Sequence, residues 1–180
     1  MSRRLYSKGE TLRKASYCLH PKVEHVGWKK GSKKLNFMGN EIAMFREWDE
    51  TREPDWDLLK MSAHDAFLHF MTALNDCYGK KPALWALDGT YDGFKWVESV
   101  SDNPCVFGYT KTDGEAVDLI LLNFSDQEAA LVFDDENEYT MLLNTGWEEY
   151  GGQEKKVVSD YMPSVLAPFS GILLRRMDRD

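Results

Sequence analysis

A group of polar and aromatic side chains follows a short strand-like segment near the start of the chain. The segment is Leu35–Met38, and Gly39 separates it from Asn40, Glu41, Arg46 and Trp48. In a parallel α/β unit, the loop after a buried strand carries side chains to a ligand-binding face. The pattern therefore indicates a ligand-contacting loop. The alternative is that Trp48 packs the loop onto the domain and Arg46 pairs with a neighbouring acid.

The same loop is rich in carboxylates, which raises the question of a metal site. Their spacing and glycine placement do not follow a calcium-binding loop. A solvated loop in which Asp55 caps a short helix is the favoured interpretation. Cys18, His20 and His25 lack a nearby fourth ligand for structural zinc, so no metal site is predicted. The loop carboxylates are Glu47, Asp49, Glu50, Glu53, Asp55 and Asp57.

Composition limits the class of partner. The 180 residues are 43% hydrophobic and 13% aromatic, as in a folded globular chain, and carry a formal charge of −8. That charge argues against nucleic acid or an anionic membrane as partner, and no apolar run is long enough to span a bilayer. Three widely separated cysteines and an N-terminus without a secretion signal predict a cytoplasmic protein.

The first half of the chain has helical character after the loop. Residues 1–32 are basic and weakly patterned and are expected to be poorly ordered. Leu35–Met38 is predicted as a strand and Asp55–Lys60 as one helical turn. Ser62–Tyr78 is predicted as a helix with Ser62 as N-cap and Gly79 as the C-terminal stop. Its buried stripe comprises Ala66, Phe67, Phe70, Met71 and Leu74.

From Gly93 onward the hydrophobic period changes from helical to alternating. Short strands at roughly ten-residue spacing, separated by turn residues, predict an antiparallel sandwich. The boundary is expected near residues 86–92, which gives a basic segment 1–32, a first part 33–88 and an all-β part 89–180. The predicted strands are Phe94–Val97, Cys105–Thr110, Val117–Phe124, Ala129–Phe133, Tyr139–Leu143, Lys156–Val158 and Gly171–Arg175.

Several short motifs are distributed over roughly four fifths of the chain. They are residues 33–50, 54–60, 64–71, 81–85, 92–96, 121–125, 149–152 and 167–171. In this order they resemble the C-terminal portion of one enzyme family, the 1,4-α-glucan (glycogen) branching enzymes of the α-amylase superfamily. The resemblance implies an α+β fold, in which the last strand, loop and helix of a (β/α)8 barrel precede an all-β sandwich.

The resemblance also implies a function. Members of the family cut an α-1,4-glucan chain through a covalent intermediate and transfer it to form an α-1,6 branch, without a cofactor. Their nucleophile Asp, acid/base Glu and stabilising Asp lie upstream of the segment matched here, so no catalytic residue is assigned and this chain alone is expected to be inactive. Asn40, Glu41, Arg46 and Trp48 are the expected contacts to a glycogen-like or amylose-like glucan.

Two alternatives remain beside an inactive portion of an enzyme. The chain could be a stand-alone glucan-binding module, or a subunit that complements a separately encoded barrel. Trp96, Trp147 and Tyr150 could form a secondary glucan-binding patch on the β part, although filling the core is the commoner role of such residues.

Overall fold

A computed structural model describes most of the chain after its N-terminal segment. The described residues are 36, 38–46, 49–132, 135–157 and 162–177. The predicted basic segment 1–32, the cluster of Cys18, His20 and His25, and the predicted sugar contact Trp48 lie outside them. Among the described residues, no helix combines the length and the apolar character that crossing a bilayer requires.

The first part is built from one α-helix and three short 3-10 helices. The helix α1 is Ser62–Lys80, and the 3-10 helices are Asn40–Ile42, Trp56–Lys60 and Pro82–Leu84. The first two 3-10 helices contact each other and α1. They are held there by apolar side chains, since Ile42, Ala43 and Leu58 are buried.

Helix α1 confirms the predicted helix but not its ends. Met61, not Ser62, occupies the N-cap position, and no side chain caps the helix there. Gly79 lies inside the helix, which continues to Lys80, so the predicted glycine stop is wrong. An ion pair between Lys80 and Asp76, one turn apart at 2.8 Å, supports the last turn. Pro82 ends the helix instead, because the residue before a proline is pushed into extended conformation, as seen for Lys81.

The predicted strand Leu35–Met38 is wrong at its described positions. Asn36 has no regular secondary structure and Met38 lies in a turn. The turn continues through Gly39, whose φ of +79° is readily available only to glycine. A parallel strand requires a neighbouring strand for its backbone hydrogen bonds, and no strand among the described residues pairs with this segment.

The second part is dominated by a five-stranded antiparallel sheet in the order β1-β2-β3-β7-β5. The strands β4 and β6 form a separate two-stranded sheet. The central strand β3 contains four consecutive apolar residues, Leu119–Leu122, and its residues from Asp118 onward are all buried. The strands are β1 (Phe94–Val97), β2 (Val106–Thr112), β3 (Val117–Asn123), β4 (Ala129–Ala130), β5 (Tyr139–Asn144), β6 (Val165–Leu166) and β7 (Gly171–Arg176).

Most strand predictions are confirmed to within one or two residues. Lys156 and Val157, predicted to begin a strand, are not in one. The two-residue strand Val165–Leu166 was not predicted, because two residues show no periodicity. Over the described residues, the architecture is therefore an antiparallel-sheet-rich α+β fold with one α-helix.

Helix and sheet share one hydrophobic core. Phe67 and Phe70 of α1 are almost completely buried, as are the apolar residues of β3 and β7. Tyr150 joins the two layers, because its ring packs edge-on against Phe70 with 5.6 Å between the ring centroids. Consequently α1 and the segments packed on it are fixed relative to the sheet.

Candidate functional site

The loop singled out by the sequence begins in the 3-10 helix Asn40–Ile42. The carbonyl oxygen of Gly39 accepts hydrogen bonds from the backbone N–H groups of Ile42 (3.3 Å) and Met44 (3.0 Å). This tight turn leaves Asn40 exposed and Glu41 half-buried, while Ile42 faces the core. Asn40 and Glu41 are thus placed at the surface, beside the second 3-10 helix.

Arg46 is held by the acidic loop that follows it. Its Nε donates to Asp55 Oδ2 at 3.3 Å, and its Nη2 donates to Asp55 Oδ1 at 2.9 Å. Nη1 donates to Asp49 Oδ2 at 3.3 Å, and Nη2 also donates to the Glu53 carbonyl oxygen at 2.9 Å. All three guanidinium nitrogens are used, so Arg46 pairs with neighbouring acids as the second sequence interpretation expected.

Contacts within this loop favour the charged forms of the Arg46 guanidinium and the Asp49 carboxylate. The hydrogen bond to Asp55 raises the pKa of Arg46 above its ordinary value. The pKa of Asp49 is lowered, first by the hydroxyl and backbone N–H of Thr51 and then by the charge of Arg46. Asp49 and Asp55 therefore neutralise Arg46 and brace the loop.

Asp55 does not have the role predicted from the sequence. It occupies the N-cap position of the 3-10 helix Trp56–Lys60, but no side-chain capping hydrogen bond forms. Its carboxylate is bound by Arg46 instead. Across the described part of the chain, no three His, Cys, Asp or Glu side chains are grouped in a way that could hold a metal ion.

An open groove of about 940 Å³ lies beside this braced loop. Two aromatic side chains line it, Phe45 with 41% and Trp56 with 49% of its surface exposed. Leu58 and Met61 add apolar lining, and Asp55 adds a carboxylate. Exposed aromatic rings beside hydrogen-bonding groups suit the alternating apolar faces and hydroxyl edges of a sugar chain.

Phe45 and Trp56 were not predicted as site residues. Phe45 follows four residues of mixed character, and Trp56 lies in a segment interpreted only as a helical turn. Their exposure depends on how two 3-10 helices pack on α1, which no local pattern specifies. The one available signal was the occurrence of aromatic residues within an otherwise acidic loop.

The wall of the groove is anchored to α1 through His64. This histidine is 2% exposed, and its Nδ1 lies 2.8 Å from the carbonyl oxygen of Ile42. The Phe45 ring packs edge-on against the imidazole, with ring centroids 5.0 Å apart. One side of the groove is therefore part of the folded core and not a loose loop.

The other aromatic candidates divide between core and surface. Trp147 and Tyr150 are buried, so they do not form a surface patch for glucan. Trp96 is 36% exposed and packs edge-on against Phe94 with 5.1 Å between centroids. A secondary patch would therefore have to be formed without Trp147 and Tyr150.

Comparisons with known proteins identify 1,4-alpha-glucan branching enzymes among the relatives, although no protein-family model matches the chain. A Rhizobium meliloti 1,4-alpha-glucan branching enzyme is 36% identical over 132 residues, which is 71% of this chain and 18% of the relative. The Shewanella frigidimarina branching enzyme is 34% identical over 138 residues, 74% of this chain and 18% of the relative. A solved Salmonella typhimurium structure described as an alpha amylase is 16% identical, with a TM-score of 0.46, and covers 69% of this chain and 18% of that one.

These matches cover most of this chain but a small part of each relative. The chain spans 18% of the length of the first branching enzymes it matches. The resemblance seen in the sequence motifs is thereby confirmed: the chain is similar to the C-terminal portion of 1,4-α-glucan branching enzymes.

Proposed function

We propose that this chain is the C-terminal, glucan-contacting portion of a branching-type enzyme, and that it binds an α-1,4-glucan segment in the groove between Phe45 and Trp56. The observation that carries the proposal is the pair of exposed aromatic rings beside a braced acidic loop. The similarity to branching enzymes supports glycogen-like or amylose-like glucan as the ligand.

The groove contributes binding and not bond cleavage. Trp56 is flanked in sequence by two carboxylates: Asp55 is held by a two-point contact with Arg46, and Asp57 is paired with Lys60. No position of this chain corresponds to the catalytic carboxylates that the resemblance implies. Glucan transfer would then require a catalytic barrel as partner, encoded with this chain or separately.

Asn40 and Glu41 do not line the groove, and the proposal retains them as hydrogen-bonding groups on the neighbouring 3-10 helix. The 3-10 helix that carries them contacts the one that begins with Trp56. Sugar hydroxyls are recognised by such amide and carboxylate groups when an aromatic ring fixes the sugar plane. Trp48, which lies outside the described residues, remains a proposed contact from the sequence alone.

A reduced, cytoplasmic setting is part of the proposal. Cys77 and Cys105 are free thiols, which supports a compartment that keeps cysteines reduced.

Binding can be tested by electrophoresis of the purified chain through gels containing glycogen and by calorimetry with maltoheptaose. Trp56→Ala and Phe45→Ala should weaken binding about tenfold or more, since base- or sugar-stacking aromatics contribute on the order of 1–3 kcal/mol each. Trp85→Ala and Phe107→Ala are matched controls, with 42% and 39% of their surfaces exposed outside the groove. Equal losses in all four variants, or no retardation of the unaltered chain, would refute the proposal.

A separate experiment tests whether this chain only binds glucan while a catalytic barrel performs the transfer. The chain alone should create no α-1,6 branches in amylose, measured by debranching and chain-length analysis. Branching should appear when a barrel portion from a branching enzyme is supplied. Branching by the isolated chain would contradict the assignment of a binding role.

A further inference from the structure

Arg46, beside the groove, makes four hydrogen bonds, and all of its partners follow it in the sequence. Arg46 follows Phe45 directly, and Asp55 precedes Trp56 directly. The bidentate contact between Arg46 and Asp55 therefore connects the two chain segments that carry the groove aromatics. No other described ion pair joins these two segments.

One other contact joins the two segments, a hydrogen bond to a sulfur atom, which is a weak acceptor, and the remaining contacts fix each segment separately. The ring of Phe45 packs edge-on against the ring of His64, with 5.0 Å between the ring centroids. The backbone N–H of Asp55 donates to the Met44 sulfur at 3.4 Å, and Asp49 Oδ1 accepts from Thr51 Oγ1 at 2.6 Å. These contacts stiffen the loop but are weaker or more local than the guanidinium bridge.

We infer that Arg46 is a positioning residue for glucan, which sets the separation of Phe45 and Trp56 and does not itself contact the sugar. This inference rests on the proposed glucan-binding function. Four of the five guanidinium N–H groups are already donated to Asp55, Asp49 and the Glu53 carbonyl, so a sugar hydroxyl would have to displace one of these bonds to reach any donor but the second N–H of Nη1.

Geometry explains why arginine is needed at this position. A guanidinium offers a planar fork that matches a carboxylate at two points while a third nitrogen reaches Asp49. A lysine ammonium is a single point charge and cannot hold both carboxylates and a carbonyl in this arrangement. Arg46→Lys should therefore keep the charge and lose the fixed spacing of the two rings.

The consequence is a change in how affinity depends on ligand length. A short ligand that stacks on one ring does not sense the separation of the rings, whereas a longer one that spans both does. Arg46→Lys should weaken maltoheptaose binding about tenfold while changing maltotriose binding about twofold or less. A general loss of folded protein would lower the apparent affinity for both ligands to the same extent.

The matched control is Arg175→Lys. Arg175 makes an equivalent two-nitrogen contact with buried Asp118 inside the sheet, away from the groove. Its replacement should lower the temperature of unfolding and leave both binding constants within twofold of the unaltered chain. Arg46→Lys should show the opposite combination, with lost long-ligand affinity and a smaller change in unfolding temperature.

The outcomes separate this inference from the function on which it rests. If Trp56→Ala leaves glucan binding unchanged, the proposed function fails. If Trp56→Ala weakens binding and Arg46→Lys does not, the function stands and the positioning role is refuted. If Arg46→Lys weakens maltotriose and maltoheptaose equally in fully folded protein, Arg46 contacts the sugar directly and the inference is again overturned.

Discussion

The buried ion pair between Asp88 and Lys111 connects the segment after α1 to strand β2, and its contribution to the free energy of unfolding can be tested quantitatively. The Lys111 Nζ lies 2.5 Å from Asp88 Oδ1, and the two side chains are only 9% and 10% exposed. At an effective dielectric constant of about 20, two unit charges at that separation attract by roughly 6–7 kcal/mol. The cost of removing both charges from water offsets most of this attraction.

Removing only one partner should therefore be far more costly than the net value of the pair. Lys111→Met leaves the Asp88 carboxylate buried with Tyr78 beside it, whose pKa is raised first by burial and then by the charge of Asp88. We expect Lys111→Met to lower the free energy of unfolding by about 3–5 kcal/mol. The double variant Asp88→Asn with Lys111→Met should recover at least about 1.5 kcal/mol of that loss.

Urea denaturation followed by far-UV circular dichroism would measure both quantities. The control is Lys60→Met, because Lys60 lies at the same 2.5 Å from Asp57 but the two side chains are 79% and 88% exposed. It should change the free energy of unfolding by less than about 1 kcal/mol. A loss for Lys111→Met no greater than for Lys60→Met would refute the argument from burial.

Two further predictions use backbone geometry and pH. Gly152→Ala should lower the free energy of unfolding by about 3 kcal/mol or more, because a β-carbon there would lie 1.8 Å from the Gly146 carbonyl oxygen. Gly79 lies on α1, and a β-carbon added there would meet no atom within 4 Å, so Gly79→Ala should raise the free energy of unfolding by up to about 1 kcal/mol. Equal effects of the two substitutions in urea denaturation would contradict this contrast. The pKa of Asp113 is lowered below its ordinary value of 3.8 by the backbone N–H groups of Glu115 and Ala116. A carboxylate whose pKa is lower in the folded state stabilises the fold at pH values above its unfolded-state pKa, and this contribution is lost as pH falls through its folded-state pKa. The difference in free energy of unfolding between the unaltered chain and Asp113→Ala should therefore shrink below about pH 4. A difference that is constant down to pH 2 would rule this out.

Elements with many periodic residues could be predicted from the sequence, and short or context-dependent ones could not. The stripe of α1 and the alternation of β5 specify those elements because burial of one face dominates their energetics. Continuous apolar runs bounded by turn residues specify β3 and β7, which are buried on both faces. Gly79 was misjudged because a glycine near a helix end is tolerated when the next obstacle, here Pro82, lies three residues further on. Leu35–Met38 has the apolar character of a strand, but a strand also depends on a partner elsewhere in the chain.

The candidate site shows the same limit at the level of side chains. Sequence reasoning identified Arg46 and the acids around it, and it left open whether Arg46 contacts a ligand or pairs with a carboxylate. Choosing between these requires distances across nine residues of loop, from Arg46 to Asp55, which no spacing rule supplies. Phe45 and Trp56 were missed for a related reason, since aromatic residues are usually buried and only the packing of two 3-10 helices exposes this pair.

Exposure of Phe45 and Trp56 is more informative than the exposure of a single apolar residue would be. Scattered surface apolar residues are normal and need no function. Here both rings line one groove, a buried histidine supports the first and a bridge of charge-assisted hydrogen bonds holds the segment before the second. Ordering a loop with an arginine costs side-chain entropy that solvation of the loop would avoid. A fixed pair of rings reduces the entropy lost when a ligand binds, so the bracing of this loop supports the proposal of a glucan that spans both rings.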